Sequence, residues 1–297
     1  MKKKKILIIV LALFIIICLI GIVINKPKMK KENSNFKILN SFYPIYVLSL
    51  NLTDGAKNVE NLNMAEKAVG CIHDYTLTTE DLKKFEDTDI FIENGGDLEP
   101  FSNKIKELYP EVTIVEASQN VKNIIADEEE TNSHFWLSLD NYKTEIEVVY
   151  EALVKANPEN KELYEANRNT YLSQITDLEN DYKSLDLKNM KVVCLNEALE
   201  YLLEDLEMDV TSVETDHAHS SLSAKAIKEI IDSGKQENVR AIFIDKDDST
   251  EIAEMLSKET GAIIIKLDSG MQGETQNKNA YIDAMKYNFN ELQKLGD

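Results

Sequence analysis

From Phe36 to the C-terminus, short apolar runs of β type alternate with segments whose apolar residues recur at helical spacing. The alternation stops only once. Seven runs have strand character: FKILNSF (36–42), DIFIENG (89–95), EVTIVEA (111–117), MKVVCLN (190–196), DVTSVE (209–214), VRAIFID (239–245) and AIIIKLD (262–268). Between them lie TTEDLKKFED, EPFSNKIKELY, EALEYLLEDLE, SAKAIKEIIDS, STEIAEMLSKE and AYIDAMKYNFNELQKL, each with helical periodicity. Parallel strands need a crossover, usually a helix laid on the face of the sheet, so this alternation confines the chain to an α/β class with largely parallel sheets. From Asp140 to about Leu185 there is no strand-like run. That interval has one proline, Pro158, and steady helical spacing through Ile146, Val149, Leu153, Leu163, Tyr164, Tyr171, Leu172, Ile175 and Leu178. Two α/β lobes joined by a long backbone helix are expected: residues 36–139 the N-terminal lobe, 140–185 the connecting helix and 186–297 the C-terminal lobe. A single α/β domain with a helical insertion is the alternative.

Charge is distributed unevenly along the 297 residues. All eight basic residues that precede Glu32 flank one apolar run, which leaves 25 of the 33 Lys and Arg to face all 53 Asp and Glu in the body. Such an acidic body repels phosphate backbones and attracts small cations, so no nucleic-acid partner is expected. Lys2–Lys5 are followed by an uncharged stretch from Ile6 to Ile24, about the ~20 residues that cross a bilayer as a helix. With the lysines held in the cytoplasm the rest of the chain emerges outside. Residues 1–25 are therefore read as an N-terminal membrane anchor or signal segment and 26–35 (KPKMKKENSN) as a tether. Lipidation at Cys18 is the second reading of the same region, and either one leaves the body on the extracytoplasmic face of the cell membrane. Three cysteines, Cys18, Cys71 and Cys194, are far apart with no C-x-x-C pair, which argues against a disulfide framework or a zinc knuckle.

The chain has four histidines, His73, His134, His217 and His219, and each follows a strand candidate and precedes a helix. That is where α/β folds carry their ligand sites. Imidazole is the commonest protein ligand for borderline metals, with Asp and Glu supplying further donors or anchors. Four of four histidines in such loops of an acidic chain point to a divalent metal ion.

The motifs NSFYPIYVLSLNL, GCIHDYTLTTEDLKKFEDTDIFIENGGDLEPF, SHFWLSLDNY, KETGAIIIKLDSG and YIDAMKYNFNEL together resemble the solute-binding component of ABC importers for zinc and manganese. The His73 and His134 motifs are its most specific parts. The resemblance implies two α/β lobes on a rigid backbone helix and one metal ion in the cleft, with two ligands from each lobe. It implies His73 and His134 as the N-lobe ligands and Asp268 as a C-lobe carboxylate. At the remaining position the family has His or Glu, whereas here the match falls on Asn196, and a neutral amide is a weak zinc donor. His217 or His219, at the end of the following strand, is the expected replacement, an inference of our own that the family does not supply.

These readings predict an extracytoplasmic carrier, monomeric and not an enzyme, that captures zinc, or alternatively manganese, and delivers it to an ABC permease in the membrane. A surface metallohydrolase or an adhesin with an incidental metal site is the competing class. A hydrolase needs an activated water and a base, and no H-E-x-x-H, G-x-S-x-G or G-x-x-x-x-G-K is present. Four further features have structural readings that outweigh functional ones: Cys71 as a small buried residue, Asp127–Glu130 as a solvated acidic loop, Trp136 as a packing ring and Asp245 as a loop anchor.

Overall fold

The computed structural model describes residues 35–65, 73, 75–126, 131–213 and 224–296. The Lys-flanked apolar run, Cys18, Cys71, the acidic stretch 127–130, His217 and His219 lie outside the described residues. Among those described, no helix is long and apolar enough to cross a membrane.

The first sheet is built from β1 (Phe36–Asn40), β2 (Val59–Asn63), β3 (Ile90–Glu93) and β4 (Thr113–Glu116), with α1 (Tyr43–Leu52), α2 (Thr79–Phe85) and α3 (Ser102–Leu108) as its crossovers. Its order is β2-β1-β3-β4, all parallel. After α4 (Leu139–Ala156) and α5 (Lys161–Lys183) comes a second sheet of β5 (Lys191–Cys194), β6 (Asp209–Ser212), β7 (Ala241–Asp245) and β8 (Ile263–Leu267). It repeats the same order, β6-β5-β7-β8, again all parallel. The helices α6 (Glu200–Asp205), α7 (Ala224–Glu237) and α8 (Glu251–Thr260) connect these strands, and α9 (Ala280–Gln293) closes the chain. Central strands are covered on both faces, which is why IFIE and AIFID are buried at every position.

All seven predicted strands form. An eighth, β2, was not predicted: its sequence VENLN is polar and half-buried, as suits an edge strand with one neighbour. The strand-free interval is two helices rather than one. Pro158 lacks an amide hydrogen and disfavours helical backbone at the residue before it, so α4 stops at Ala156 and a 3-10 turn, Pro158–Asn160, reverses the chain. The long helix α5, 23 residues and about 34 Å, then runs antiparallel to α4. Tyr142 and Tyr171 hydroxyls meet at 3.0 Å, Lys143 bonds Glu179 at 2.7 Å, and Arg168 bonds Glu147 at 2.8 Å.

One continuous apolar cluster runs from Phe36, Ile38 and Trp136 of the first half through Tyr142 and Tyr171 to Val192, Phe243 and Tyr281 of the second. The stacked rings of Tyr142 and Tyr281, 3.8 Å between centroids, sit within it. The carboxyl ends of the strands carry the segments that converge on the cleft described next, at the switch points β1/β3 and β5/β7, where doubly wound sheets place ligands.

Candidate metal centre

His134 is held by its neighbours on both sides. Asn94, directly after β3, donates Nδ2 to the Ser133 carbonyl at 2.9 Å, and the Ser133 hydroxyl donates to the Gly96 carbonyl. Gly96 has φ +62°, and the ring of Phe135 lies where a Cβ would project, so the Gly-rich turn and the His134 segment need glycine there. Trp136 is fully buried, edge-on to Phe42 at 5.0 Å. Its indole N–H donates to the Ser269 carbonyl at 2.8 Å, and its own carbonyl accepts from the Tyr281 hydroxyl at 2.7 Å. Ser138 then caps α4 through Asn141 N. The backbone at His134 is thus fixed by contacts to the residues that follow β3 and β8 and to α9, and the residue is only 2 % exposed.

Across the cleft, β5 ends at Cys194 and Asn196 caps a 3-10 turn, Glu197–Leu199, by accepting from Ala198 N at 3.1 Å. The Asn196 amide also donates to Asp248 Oδ2 at 2.9 Å. Its side chain is therefore committed to the turn, and the residue presented to His134 is Glu197. Glu197 Oε1 lies 3.8 Å from Nδ1 of His134, and the rings of His73 and His134 are 5.7 Å apart. Tyr75, two residues past His73, bonds Asp81 in the capping box of α2 and so ties the His73 segment to that helix.

Donor atoms of His73, His134 and Glu197 all lie within 4.8 Å of one another. Ligands at about 2 Å from a common ion stand within about 4 Å of each other, so a small contraction completes three bonds. Asn132 bridges the two sides. Its Nδ2 donates to the Glu197 carbonyl (2.9 Å) and Glu200 Oε2 (3.2 Å), both acceptors, which fixes the amide orientation. Its Oδ1 therefore accepts from His134 N (3.1 Å) and from His134 Nδ1 (2.9 Å). A neutral imidazole that carries its proton on Nδ1 leaves Nε2 as the donor toward a metal.

Asp268 stands apart from this trio. Its Oδ2 accepts from Lys246 Nζ at 2.6 Å and its Oδ1 from Gly270 N at 2.9 Å, while Asn288 clamps its backbone from both sides. Asp245 is a loop anchor: its buried carboxylate accepts from Ser269 N and Asp247 N, both at 2.9 Å. Burial pushes the Cys194 thiol up to about 12, and its S–H is donated to Asn196 O, so it supplies no thiolate near neutral pH.

Of the residues predicted from sequence, His73 and His134 come together, Asp268 is bonded to Lys246, and His217 and His219 lie outside the described residues. Glu197 was missed. The clue was its position beside Asn196, but which of two adjacent residues faces the cleft depends on where the strand gives way to the turn.

Two parallel α/β sheets with a His- and Glu-lined cleft between them define a two-lobed binding protein. The chain belongs to the family described as zinc-uptake complex component A, periplasmic, which matches residues 38–295. It is 24% identical to the high-affinity zinc uptake system protein ZnuA of Bacillus subtilis, over 98% of this chain and 97% of that one. It is 25% identical to the zinc-binding protein AdcA of Streptococcus pyogenes over 99% of its own length, but spans only 62% of that relative. The fold matches a manganese complex of the solute-binding protein FpvC from Pseudomonas aeruginosa with a TM-score of 0.77 at 23% identity, covering 89% of this chain and 98% of that one.

Proposed function

We propose that this protein is the extracytoplasmic binding component of an ABC importer, which captures a divalent metal in the interlobe cleft and delivers it to a membrane permease. The observation that carries this reading is the convergence of His73, His134 and Glu197. Two imidazoles and a carboxylate suit a borderline ion, and zinc lies above manganese in affinity for nitrogen-containing sites. Zinc is therefore the preferred cargo and manganese the alternative. Relatives named for zinc and a fold neighbour complexed with manganese are consistent with that order. Asp268, His217 and His219 are the candidates for completing the ligand set. The protein acts as a monomer tethered by its N-terminal segment and has no catalytic role.

The test is metal analysis of the purified full-length chain, followed by zinc and manganese titrations against a chromophoric chelator. Stoichiometric zinc, bound more tightly than manganese and lost in His134→Ala and Glu197→Ala, is the expected result. Turnover of peptides or esters by the zinc-loaded protein would overturn the carrier reading, and absence of binding would overturn the metal reading altogether.

A further inference from the structure

Lys246 is the first residue after β7, and Asp268 is the first after β8. The parallel register pairs Asp245 with Leu267, so Lys246 and Asp268 are the next pair along, and Lys246 N bonds the Leu267 carbonyl at 2.7 Å. Their side chains meet at 2.6 Å, with 36% of the lysine side chain and only 15% of the aspartate side chain exposed. Ser269, next to Asp268, holds the indole of Trp136, whose ring is 5.2 Å from that of His134. Asp268 is thus joined to the His134 segment through Ser269 and Trp136, and one of its carboxylate oxygens is bonded to an ammonium carried by the same chain.

We propose that Lys246 is a built-in competitor for the cargo metal: its ammonium and the metal ion exchange on the carboxylate of Asp268, so Lys246 weakens metal capture and favours release. This rests on the reading of the cleft as a metal site. An ammonium is a monovalent, three-donor substitute for a cation, and it supplies the charge compensation that a half-buried carboxylate needs. A divalent ion held by two imidazoles and Glu197 takes Asp268 as a further ligand by breaking that ion pair. The cost of breaking it is subtracted from the affinity. On dissociation the lysine returns to Asp268, which leaves no uncompensated charge behind. Asp245 and Asp247 flank Lys246 on its own loop, and their negative charge keeps the displaced ammonium close by.

The experiment measures zinc affinity of the full-length chain by chelator competition for wild type, Lys246→Met, Lys246→Arg, Asp268→Asn and the Lys246→Met/Asp268→Asn pair. An ion pair of this partial exposure is worth up to about fivefold in an equilibrium. Lys246→Met should therefore bind zinc about three- to fivefold more tightly, with slower release in a stopped-flow chelator chase. Lys246→Arg keeps the charge and stays close to wild type. The gain from Lys246→Met must vanish in the Asp268→Asn background. If wild type binds zinc and Lys246→Met does not bind it more tightly, or if the gain survives Asp268→Asn, the competitor role is wrong while the metal site stands. Failure of wild type to bind zinc removes both. Should Lys246→Met unfold, as judged by circular dichroism, Lys246→Gln is read in the same way.

Discussion

Asn132 offers the sharpest test of how the cleft is organised, because one amide touches both sides of it. Replacement by Ala removes the acceptor that holds His134 N and Nδ1 and the donor that holds the Glu197 carbonyl and Glu200. Two effects follow. The imidazole loses the partner that fixes its tautomer, and outer-shell losses of this kind typically cost about 10–100-fold in metal affinity. At 298 K that is about 1.4–2.7 kcal/mol. A main-chain N–H and a ring N–H in a nearly buried residue also lose their acceptor, at about 1–3 kcal/mol of folding stability. Zinc competition titrations and urea unfolding on the same preparations separate the two. Asn132→Asp refines the test. It keeps an acceptor for His134 but loses both donors and sets a carboxylate beside Glu197 and Glu200, so its affinity loss should be smaller than that of Asn132→Ala. Zinc binding by Asn132→Ala within about twofold of wild type would refute the reasoning, since the bridge would then be a packing contact without influence on the imidazole.

Three other outcomes are expected. Imidazole ligands must be neutral, with an ordinary pKa of about 6.5, so zinc affinity should fall steeply between about pH 7 and pH 5, with proton release on binding visible as a buffer-dependent calorimetric heat. Burial pushes Glu99 up to about 7, against hydrogen bonds from the amides of Asn94 and Gly95, and pushes Asp205 up to about 6, against those from Ser138 and Leu139. The folded state therefore holds more protons than the unfolded one from the ordinary carboxylate range up to these values, and stability falls as pH rises through that window. Glu99 alone contributes about 3 kcal/mol of this loss, and urea unfolding of Glu99→Gln should show a correspondingly flatter profile between about pH 4.5 and pH 8. Trp136→Phe keeps the ring but leaves the Ser269 carbonyl without its indole donor; thermal unfolding should report a loss of about 1–3 kcal/mol.

What the sequence made legible follows the strength of its local signals. Parallel core strands such as AIFID are continuous apolar runs and are read at once, whereas VENLN, with one paired neighbour and a half-wet surface, carries no periodic signal. His73 and His134 stood out because the chain has only four histidines, each in a stretch that reads from sequence as a loop. Glu197 did not, being one of 53 acidic residues, and only the turn capped by Asn196 turns it into the cleft. The state of Asp268 was equally hidden. Its partner Lys246 is 22 residues away in sequence and becomes a neighbour only through the register of β7 against β8. Local composition announces which residue types can bind. Strand ends and register decide which of them meet.

The apolar cluster that passes from the first sheet through the tyrosines of α4, α5 and α9 into the second has a consequence for the chain as a piece of material. Tyr281 stacks on Tyr142 and bonds the carbonyl of Trp136, so residues far apart in sequence fasten the last helix to the histidine-bearing segment. A chain severed between α4 and α5 would give two fragments, each exposing half of one oily seam, and neither would stay in solution unless the other covered it. Mixed together, the fragments would be expected to reassemble rather than fold separately.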